Sequence, residues 1–399
     1  MNIYQGARSV VLRRELDPMS TFYEERSLTR MRHHFELQEP PMPGLSFFIH
    51  GVIQLDCENF SIDFFSTKHC DQQRSHDIPL RIGARLPQNF MIRNTRIMDK
   101  WGLQENSSNL PFQLKHGDPF WMQVLLTEES FYISVNGYHF AQYVYRMPIK
   151  WIVGVDIRGG VFDMVVDKFY VTEYPIRISH SAAGLVPLTE GKPRAMGAHT
   201  MPNDWLRIEV PSIYLRQHEE IVSKINMPFY GYLSSDRKLI DGRALRIEGR
   251  VRLMPQEFRV ALQCGQNIWP QPTVSFMFNP TFLRTSKAKM GKAVIVRSAY
   301  INDEWVNSEV SRLHTHLGPG KAFVILVACR KTHYEVYVDG KLLVNFRHRM
   351  NPEDVDMLFI YGDVKLWHVS VETFLCPHLL RLTRSFPGLR LTTSSHLHR

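Results

Sequence analysis

Cysteine and histidine, the residues that most often supply nucleophiles and metal ligands, are scattered through this sequence. The odd number of cysteines prevents complete pairing within the chain, and none has the close neighbour that zinc or redox sites require. We therefore expect free thiols in a reducing compartment. No Ser/His/Asp or Cys/His arrangement and no glycine-rich phosphate loop is visible. These observations predict a protein that is not an enzyme and that uses no metal or cofactor. The cysteines are Cys57, Cys70, Cys264, Cys329 and Cys376.

The chain has a basic net charge, but no sequence motif for an acidic partner accompanies it. A net charge of +9 would suit nucleic acid or a membrane surface. No RRM, KH or helix-turn-helix signature accompanies this charge, and part of it lies between Cys376 and Arg399, a segment that contains no acid. We interpret that segment as a basic tail, and we do not expect nucleic acid as a partner.

No segment has the composition of a conventional secretory signal or the length of a transmembrane helix. Residues 1–17 lack an apolar stretch followed by small residues. The longest apolar run, Ala322 to Cys329, is far shorter than the roughly 20 residues that a spanning helix needs. Its length is typical of a buried strand. The two Asn-x-Ser sequons, at Asn59 and Asn106, are expected to be silent without a signal sequence.

An internal repeat is the strongest organising feature. Phe131–Gly137 and Tyr334–Gly340 each combine an alternating strand with the Asn-Gly or Asp-Gly pair that favours a two-residue hairpin turn. Further along the chain, Val155–Gly159 parallels Leu358–Gly362, and the order of matching segments is the same in both halves. We infer that one domain has been duplicated.

Each copy has the residue pattern of a two-sheet β-sandwich. Apolar and polar residues alternate in short segments separated by Gly, Pro, Asn and Asp, and long helical periodicity is absent. We predict an all-β protein with β-sandwich domains in tandem. Within the linker, the stretch Trp205–Val210 either adds a strand to one sheet or docks as part of a partly ordered linker. The predicted units are an N-terminal arm at 1–42, domain 1 at 43–174, a linker at 175–229, domain 2 at 230–372 and the basic tail at 373–399.

Both copies resemble the galectins, because several short motifs occur in the same order as in that family. The resemblance implies galectin-type, concanavalin A-like jelly-roll sandwiches, which bind β-galactosides in a groove on one sheet. The markers in domain 1 are Met91–Thr95, Trp101-Gly102, Pro111-Phe112, Gly117–Phe120 and Val135–Phe140.

The galectin groove uses a His-Phe-Asn-Pro-Arg strand, an Asn on the next strand and a Trp-Gly-x-Glu-x-Arg segment. The chemistry follows from the sugar. Galactose has an apolar face of ring C–H groups that packs on a flat Trp, whereas its hydroxyls need donors and acceptors on rigid strands. A planar Arg can bridge adjacent hydroxyls and pair with a carboxylate.

Domain 1 matches this pattern in part. Arg81 stands in place of the His, and Gly83 stands in place of the Asn of the first motif. Gln104 and Asn106 occupy the Glu and Arg positions of the last motif, which weakens the Arg–carboxylate network, and Glu105 is expected to point to the other face of its strand. The resemblance assigns sugar binding in domain 1 to Arg81, Arg85, Asn94, Trp101 and Gln104.

Domain 2 departs further from the pattern. Met277 and Thr281 replace the His and Arg, and Ser298 replaces the second-strand Asn. Ser308 and Val310 occupy the Glu and Arg positions, so we expect weak or no lactose binding in this domain. The candidate sugar-binding residues here are Asn279, Ser298 and Trp305. The connection between Thr281 and Ser298 is longer than in domain 1 and carries lysines. Those lysines either contact sulfated or sialylated glycans or keep a solvated loop soluble. They are Lys287, Lys289 and Lys292.

The resemblance implies a lectin that binds β-galactoside-containing glycans or glycoproteins mainly through domain 1, with domain 2 degenerate or altered in specificity. The alternative is a galectin-fold protein that has lost sugar binding and acts as a protein-interaction scaffold, because the motifs are eroded in both copies. Galectins lack signal sequences and occur in the cytosol and, by unconventional secretion, outside the cell. The resemblance therefore implies a cytoplasmic location, with an extracellular one as the second expectation.

Overall fold

The computed structural model describes residues 32–374 except 71–74, 108–109, 111, 178–183, 199, 201–224, 285–289 and 313–316. These residues fold almost entirely into β-strands, with short 3-10 turns at Ile149–Trp151, Ser235–Arg237 and Pro352–Asp354. The prediction of an all-β protein with two β-sandwich domains is confirmed. Within the described part of the chain, no helix is long and apolar enough to cross a membrane.

Domain 1 is a sandwich of two antiparallel sheets. Its strands are β1 (Arg32–Glu36), β2 (Leu45–Ile53), β3 (Asn59–Ser66), β4 (Asp77–Arg85), β5 (Phe90–Ile97), β6 (Lys100–Trp101), β7 (Glu105–Ser107), β8 (Pro119–Leu126), β9 (Ser130–Val135), β10 (Tyr138–Val144), β11 (Gly154–Gly159) and β12 (Val161–Tyr170). The front sheet has the order β1-β11-β3-β4-β5-β6, and β7 also pairs with β5. The back sheet has the order β10-β9-β8-β2-β12.

Domain 2 repeats this arrangement. Its strands are β13 (Leu185–Pro187), β14 (Phe229–Tyr232), β15 (Arg243–Val251), β16 (Phe258–Gln263), β17 (Val274–Arg284), β18 (Met290–Ile301), β19 (Glu304–Arg312), β20 (Ala322–Cys329), β21 (His333–Val338), β22 (Lys341–Arg347), β23 (Met357–Gly362) and β24 (Val364–Thr373). The front sheet has the order β13-β14-β23-β16-β17-β18-β19, and the back sheet has the order β22-β21-β20-β15-β24.

Both predicted hairpins are confirmed. β9 and β10 are joined by Asn136 and Gly137, which have φ values of 51° and 82°, and β21 and β22 are joined by Asp339 and Gly340, with φ values of 49° and 81°. Two successive residues with positive φ produce the turn whose twist matches that of the flanking strands. Asn, Asp and Gly tolerate this conformation, and this is why the two pairs were informative in the sequence.

The apolar run Ala322–Cys329 forms strand β20, as its length predicted. Ile325 points into the sandwich, whereas Leu326 points to the outer face of the back sheet and clusters there near Met196. Met196 belongs to a segment that we call the strap, residues 189–198 and 200. Because the strap covers the outer face, both faces of β20 are buried and the strand needs no polar positions.

A buried charged cluster holds the strap against domain 2. The Arg246 side chain is fully buried, and its Nε donates to Glu372 Oε2 at 2.9 Å. Its Nη1 donates to the Ala198 carbonyl of the strap at 3.1 Å. Glu248, also fully buried, accepts a hydrogen bond from the Thr200 amide at 2.7 Å. Glu248 also pairs with Arg194 of the strap at 3.0 Å, so each buried carboxylate has an arginine partner, which low-dielectric surroundings require.

Part of the predicted linker therefore packs on domain 2. Residues 185–187 form β13, which pairs in parallel with β14, and Glu190 of the strap forms a bridge with Val371. The stretch Trp205–Val210 lies outside the described residues, as does the tail beyond residue 374.

The domains pack against each other, with the back sheet of domain 1 facing the front sheet of domain 2. The Tyr230 hydroxyl donates to the His139 carbonyl at 3.0 Å, and the rings of Tyr138 and Tyr230 meet edge-to-face at 5.3 Å. The Tyr174 amide donates to the Trp269 carbonyl at 2.8 Å. Tyr230 is only 2% exposed, so the contact excludes water from this large aromatic side chain.

His139, within this contact, makes stability depend on pH. Burial lowers its pKa from 6.5 to about 3, and the nearby Arg177 and Arg93 charges act in the same direction. Below pH 6.5 the unfolded chain therefore binds a proton at His139, whereas the folded protein does not bind it until about pH 3. The free energy of unfolding therefore decreases as the pH is lowered from 6.5 to about 3. At pH 5 this one residue should cost about 2 kcal/mol.

The His139→Gln variant tests this expectation. Glutamine does not titrate and can replace the hydrogen bond of 2.9 Å between His139 Nδ1 and the Tyr174 hydroxyl. Urea unfolding of both proteins at pH 7 and pH 5 should show a loss on acidification that is about 2 kcal/mol smaller in the variant. An equal loss in the two proteins would mean that His139 does not titrate as its burial implies.

Candidate functional site

Strands β4 and β5 bring most of the predicted domain 1 residues to one face of the front sheet. Arg81 lies opposite Asn94 in the ladder, and Arg85, on the same strand, lies opposite Phe90. Their neighbour Ile82 is fully buried in the core. Because side chains alternate along a strand, Arg81, Arg85 and Asn94 share the outer face. Trp101 joins them from β6, next to the end of β5.

Arg81 makes two strong contacts in this groove. Its Nε and Nη2 donate to the two carboxylate oxygens of Asp63, on β3, at 2.7 and 2.5 Å. Its guanidinium lies over the Trp101 ring, 4.4 Å from the ring centroid. The bidentate ion pair fixes the planar guanidinium, and the aromatic face attracts it. One face of Trp101, the predicted platform for the sugar, is therefore covered by a side chain of the protein itself.

Ile92 occupies the middle of the groove. It lies opposite Gly83, and a Cβ atom built on Gly83 would come within 2.7 Å of Ile92 Cγ1. Ile92 is 5% exposed, so it fills the space above the glycine. A polar group of the galectin pattern is thus replaced by an apolar contact, and any side chain at position 83 would force Ile92 to move.

The Asn94 side chain bonds the nearby backbone, and the Arg85 guanidinium is partly buried. The Asn94 amide donates to the Gly102 carbonyl at 3.1 Å and accepts from the Thr95 amide at 2.8 Å, which anchors the turn that follows Trp101. Arg85 is half-buried, and burial lowers the pKa of its guanidinium. Arginine remains charged at neutral pH despite such a shift.

In the last motif of domain 1, the amides Gln104 and Asn106 stand where the galectin pattern has a Glu–Arg ion pair. Gln104 Nε2 donates to Asn106 Oδ1 at 2.7 Å. Glu105, which was expected to point to the opposite face, lies across the ladder from the inward-facing Arg93 and pairs with Arg146 at 2.9 Å. Arg146 Nη1 also donates to the Leu103 carbonyl at 2.7 Å, so this second carboxylate–arginine pair holds the loop before β7. Sequence reasoning missed Arg146, because it is distant in the chain.

The predicted domain 2 residues also share one outer face. Met277 lies opposite Ser298, and Asn279 lies opposite Val296. Asn279 Nδ2 donates to Glu257 at 3.2 Å. Ser298 Oγ lies 3.3 Å from the Ser308 hydroxyl. The galectin pattern has the longer side chain of Asn at the position of Ser298. The polar side chains of this groove are short or already form hydrogen bonds with neighbouring side chains.

Trp305 stands at the rim of the domain 2 groove. Its ring packs against Tyr300 at 5.2 Å and keeps 37% of its surface exposed. Val310, at the position of the last Arg, is 66% exposed on the same sheet. The groove therefore offers an aromatic platform flanked by apolar side chains. Of the loop lysines, Lys287 and Lys289 lie outside the described residues.

Comparisons with known proteins identify both halves. The family described as Galactoside-binding lectin matches residues 33–169 and 228–371. Human Galectin-4 is 24% identical over 330 residues, which cover 82% of this chain and 91% of that protein. The 32 kDa beta-galactoside-binding lectin of Caenorhabditis elegans is 22% identical over 84% of this chain and 94% of its own length. Galectin-8 of Rattus norvegicus is 21% identical over 84% and 92%.

Proposed function

Because the chain belongs to the galectin family, with one family domain in each half, we propose that it binds β-galactoside-type glycans mainly through domain 1. The family consists of carbohydrate-binding lectins rather than enzymes, and the similar proteins are of the tandem-repeat type. In this proposal the ligands are β-galactoside-containing glycans or glycoproteins, and domain 2 has a different or weaker specificity. The cytoplasm is the proposed location, with export to the cell exterior as a second one.

One observation carries the proposal. Arg85, Asn94 and Trp101 lie together on the outer face of the domain 1 front sheet. A flat ring, a guanidinium and an amide on rigid strands can pack on the apolar face of a sugar and bond its hydroxyls. Each contact has a small net energy, because sugar–water hydrogen bonds are lost, so we expect modest affinity.

Affinity chromatography tests the proposal. The full chain should be retained on a column bearing lactose and should elute with free lactose but not with maltose, a glucose disaccharide of similar size. Elution by both sugars, or no retention on the lactose, sulfated-galactoside and sialylated-galactoside columns alike, would count against it. Retention on the sulfated or sialylated column alone would support a β-galactoside ligand that carries acidic groups.

Replacing Arg81 by His should strengthen binding of plain lactose. The shorter imidazole can still bond Asp63 but uncovers the face of Trp101 that Arg81 now occupies. We expect about a tenfold lower Kd, or about 1.4 kcal/mol, by titration calorimetry. The same exchange at Arg158, which pairs with Asp156 on β11, is the matched control and should leave the Kd unchanged. An unchanged Kd in the Arg81 variant would show that Arg81 does not block the ring.

A second candidate function is a protein-interaction scaffold. The observation that favours it is the covering of the domain 1 groove, since Arg81 lies on Trp101 and Ile92 fills the space beside Gly83. Under this function, partners captured by the full chain would be retained in excess lactose and by the Trp101→Ala variant. Partners that lactose releases would instead support the lectin.

A further inference from the structure

A cleft of about 310 Å³ lies between the two domains. Domain 1 contributes one wall, including Tyr132 and Gln142 from the β9–β10 hairpin. The front sheet of domain 2 contributes the other wall, including Trp305 and Phe359. Sites for small molecules in proteins typically have volumes of about 300 to 1,000 Å³ and occur preferentially between domains. The cleft has the size of a binding site, but neither domain forms it alone.

The walls of the cleft are held in place by buried contacts. The Tyr230 hydroxyl bonds the His139 carbonyl at 3.0 Å, and the Tyr138 hydroxyl bonds the Pro228 carbonyl. Tyr138 and Tyr230 are 4% and 2% exposed. Contacts of this kind fix one wall relative to the other, so a ligand would not have to order the cleft before binding.

The cleft continues the domain 2 groove. Met277, in that groove, lies opposite Ala261, and Ala261 lies opposite Phe359 on the next strand. These residues, together with Trp305, line the cleft. A ligand that begins beside Ser298 can therefore follow this row of side chains across the sheet and reach the wall that domain 1 provides.

The lining has the chemistry that a neutral oligosaccharide needs. Tyr132, Trp305 and Phe359 supply aromatic surface for the apolar faces of sugar rings. Gln142 supplies a side-chain amide, and Arg259 supplies a guanidinium that already bonds the Tyr361 hydroxyl at 2.9 Å and Glu257 at 2.7 Å. The Arg259 charge is compensated by Glu257, and the two other charged residues of the lining, Arg252 and Asp363, have opposite signs, so the cleft favours hydroxyl groups over an anion.

We propose that the domain 2 groove and this cleft form one composite site for neutral oligosaccharides longer than a disaccharide. Domain 1 contributes Tyr132 and Gln142 to it. The polar anchors lost at Met277 and Ser298 are offset by contacts made in the cleft, so the site selects glycans by length. This inference rests on the proposed lectin function and assigns a ligand class to domain 2.

Titration calorimetry with the full chain tests the composite site. The Trp101→Ala change is introduced first to silence the domain 1 groove, and the ligands are N-acetyllactosamine and the tetrasaccharide made of two such units. The tetrasaccharide should bind at least about tenfold more tightly than the disaccharide. Gln142→Trp, which fills the cleft from an exposed strand position, should reduce tetrasaccharide binding to the level of the disaccharide. Gln142→Ala should weaken it about threefold.

Gln38→Ala is the matched control, because Gln38 is exposed and does not line the cleft. It should leave tetrasaccharide binding unchanged. Equal affinity for the two ligands, or tetrasaccharide binding that Gln142→Trp does not weaken, would overturn the composite site. If the chain with Trp101 intact binds the disaccharide but the Trp101→Ala protein binds neither ligand, the composite site fails and the lectin function stands. If the chain with Trp101 intact binds neither ligand, both fail.

Discussion

Replacing Arg246 by Met is expected to lower the free energy of unfolding by about 3 to 5 kcal/mol. The guanidinium is fully buried between Glu372, 3% exposed, and the strap, where it also donates to the Ala195 carbonyl at 3.2 Å. Methionine replaces only the aliphatic part of the arginine side chain and has no donors, so a buried carboxylate and several carbonyls lose their partner. Urea unfolding of the full chain, followed by circular dichroism, measures the effect.

Two further variants separate the lost ion pair from lost packing. Arg243→Met makes the same exchange on the same strand, but Arg243 lies closer to the surface and bonds only the Asp236 carbonyl at 2.8 Å among its described contacts. It should cost less than about 0.5 kcal/mol. Adding Glu372→Gln to Arg246→Met removes the uncompensated charge and should recover about 2 kcal/mol. Equal losses for Arg246→Met and Arg243→Met would show that the buried cluster does not hold the strap.

Replacing Trp101 by Ala is expected to weaken binding of a β-galactoside by about 2 kcal/mol, or about thirtyfold. The ring is the only large aromatic surface among the assigned domain 1 residues, and its loss also removes the partner over which Arg81 is stacked. Calorimetry with lactose or N-acetyllactosamine on the full chain measures the change.

The duplicated domain supplies the control for that experiment. Trp305→Ala removes the matching ring of domain 2, where Met277 and Thr281 stand in place of the polar anchors. It should change disaccharide affinity by less than about twofold, because domain 1 carries that binding. If Trp305→Ala removed disaccharide binding and Trp101→Ala did not, the proposed division between the domains would be reversed.

Local signals in the sequence were sufficient to predict the architecture. The pairs Asn136-Gly137 and Asp339-Gly340 fix their hairpins through their own backbone preferences, independent of the rest of the chain. Alternation with period two indicated the strands, and it occurs in both copies of the repeat. That Arg81, Asn94 and Trp101 lie together was implied by the resemblance to the galectins, because these residues are on three different strands and alternation within a strand does not say which strands pair.

Features that depend on pairing between distant segments were not predictable. The Arg81–Asp63 pair and the contact of Ile92 with Gly83 depend on the register between strands, which the loops set. Strand β1, within the predicted arm, has mostly polar residues because it is an edge strand with half-exposed side chains, so its apolar signal is weak. The contact between the domains and the packing of the strap on domain 2 bring together segments that are distant in the chain. No local sequence pattern specifies such contacts.

A glycan array probed with the full chain and with its Trp101→Ala variant tests the central claim most directly. The array should include lactose-type, sulfated and sialylated glycans alongside glucans. The proposed function predicts that the full chain binds glycans ending in β-galactosides or their acidic derivatives, and that the variant loses most of the signal from short galactosides. Absence of galactoside binding, or short-galactoside binding that Trp101→Ala leaves intact, would contradict it.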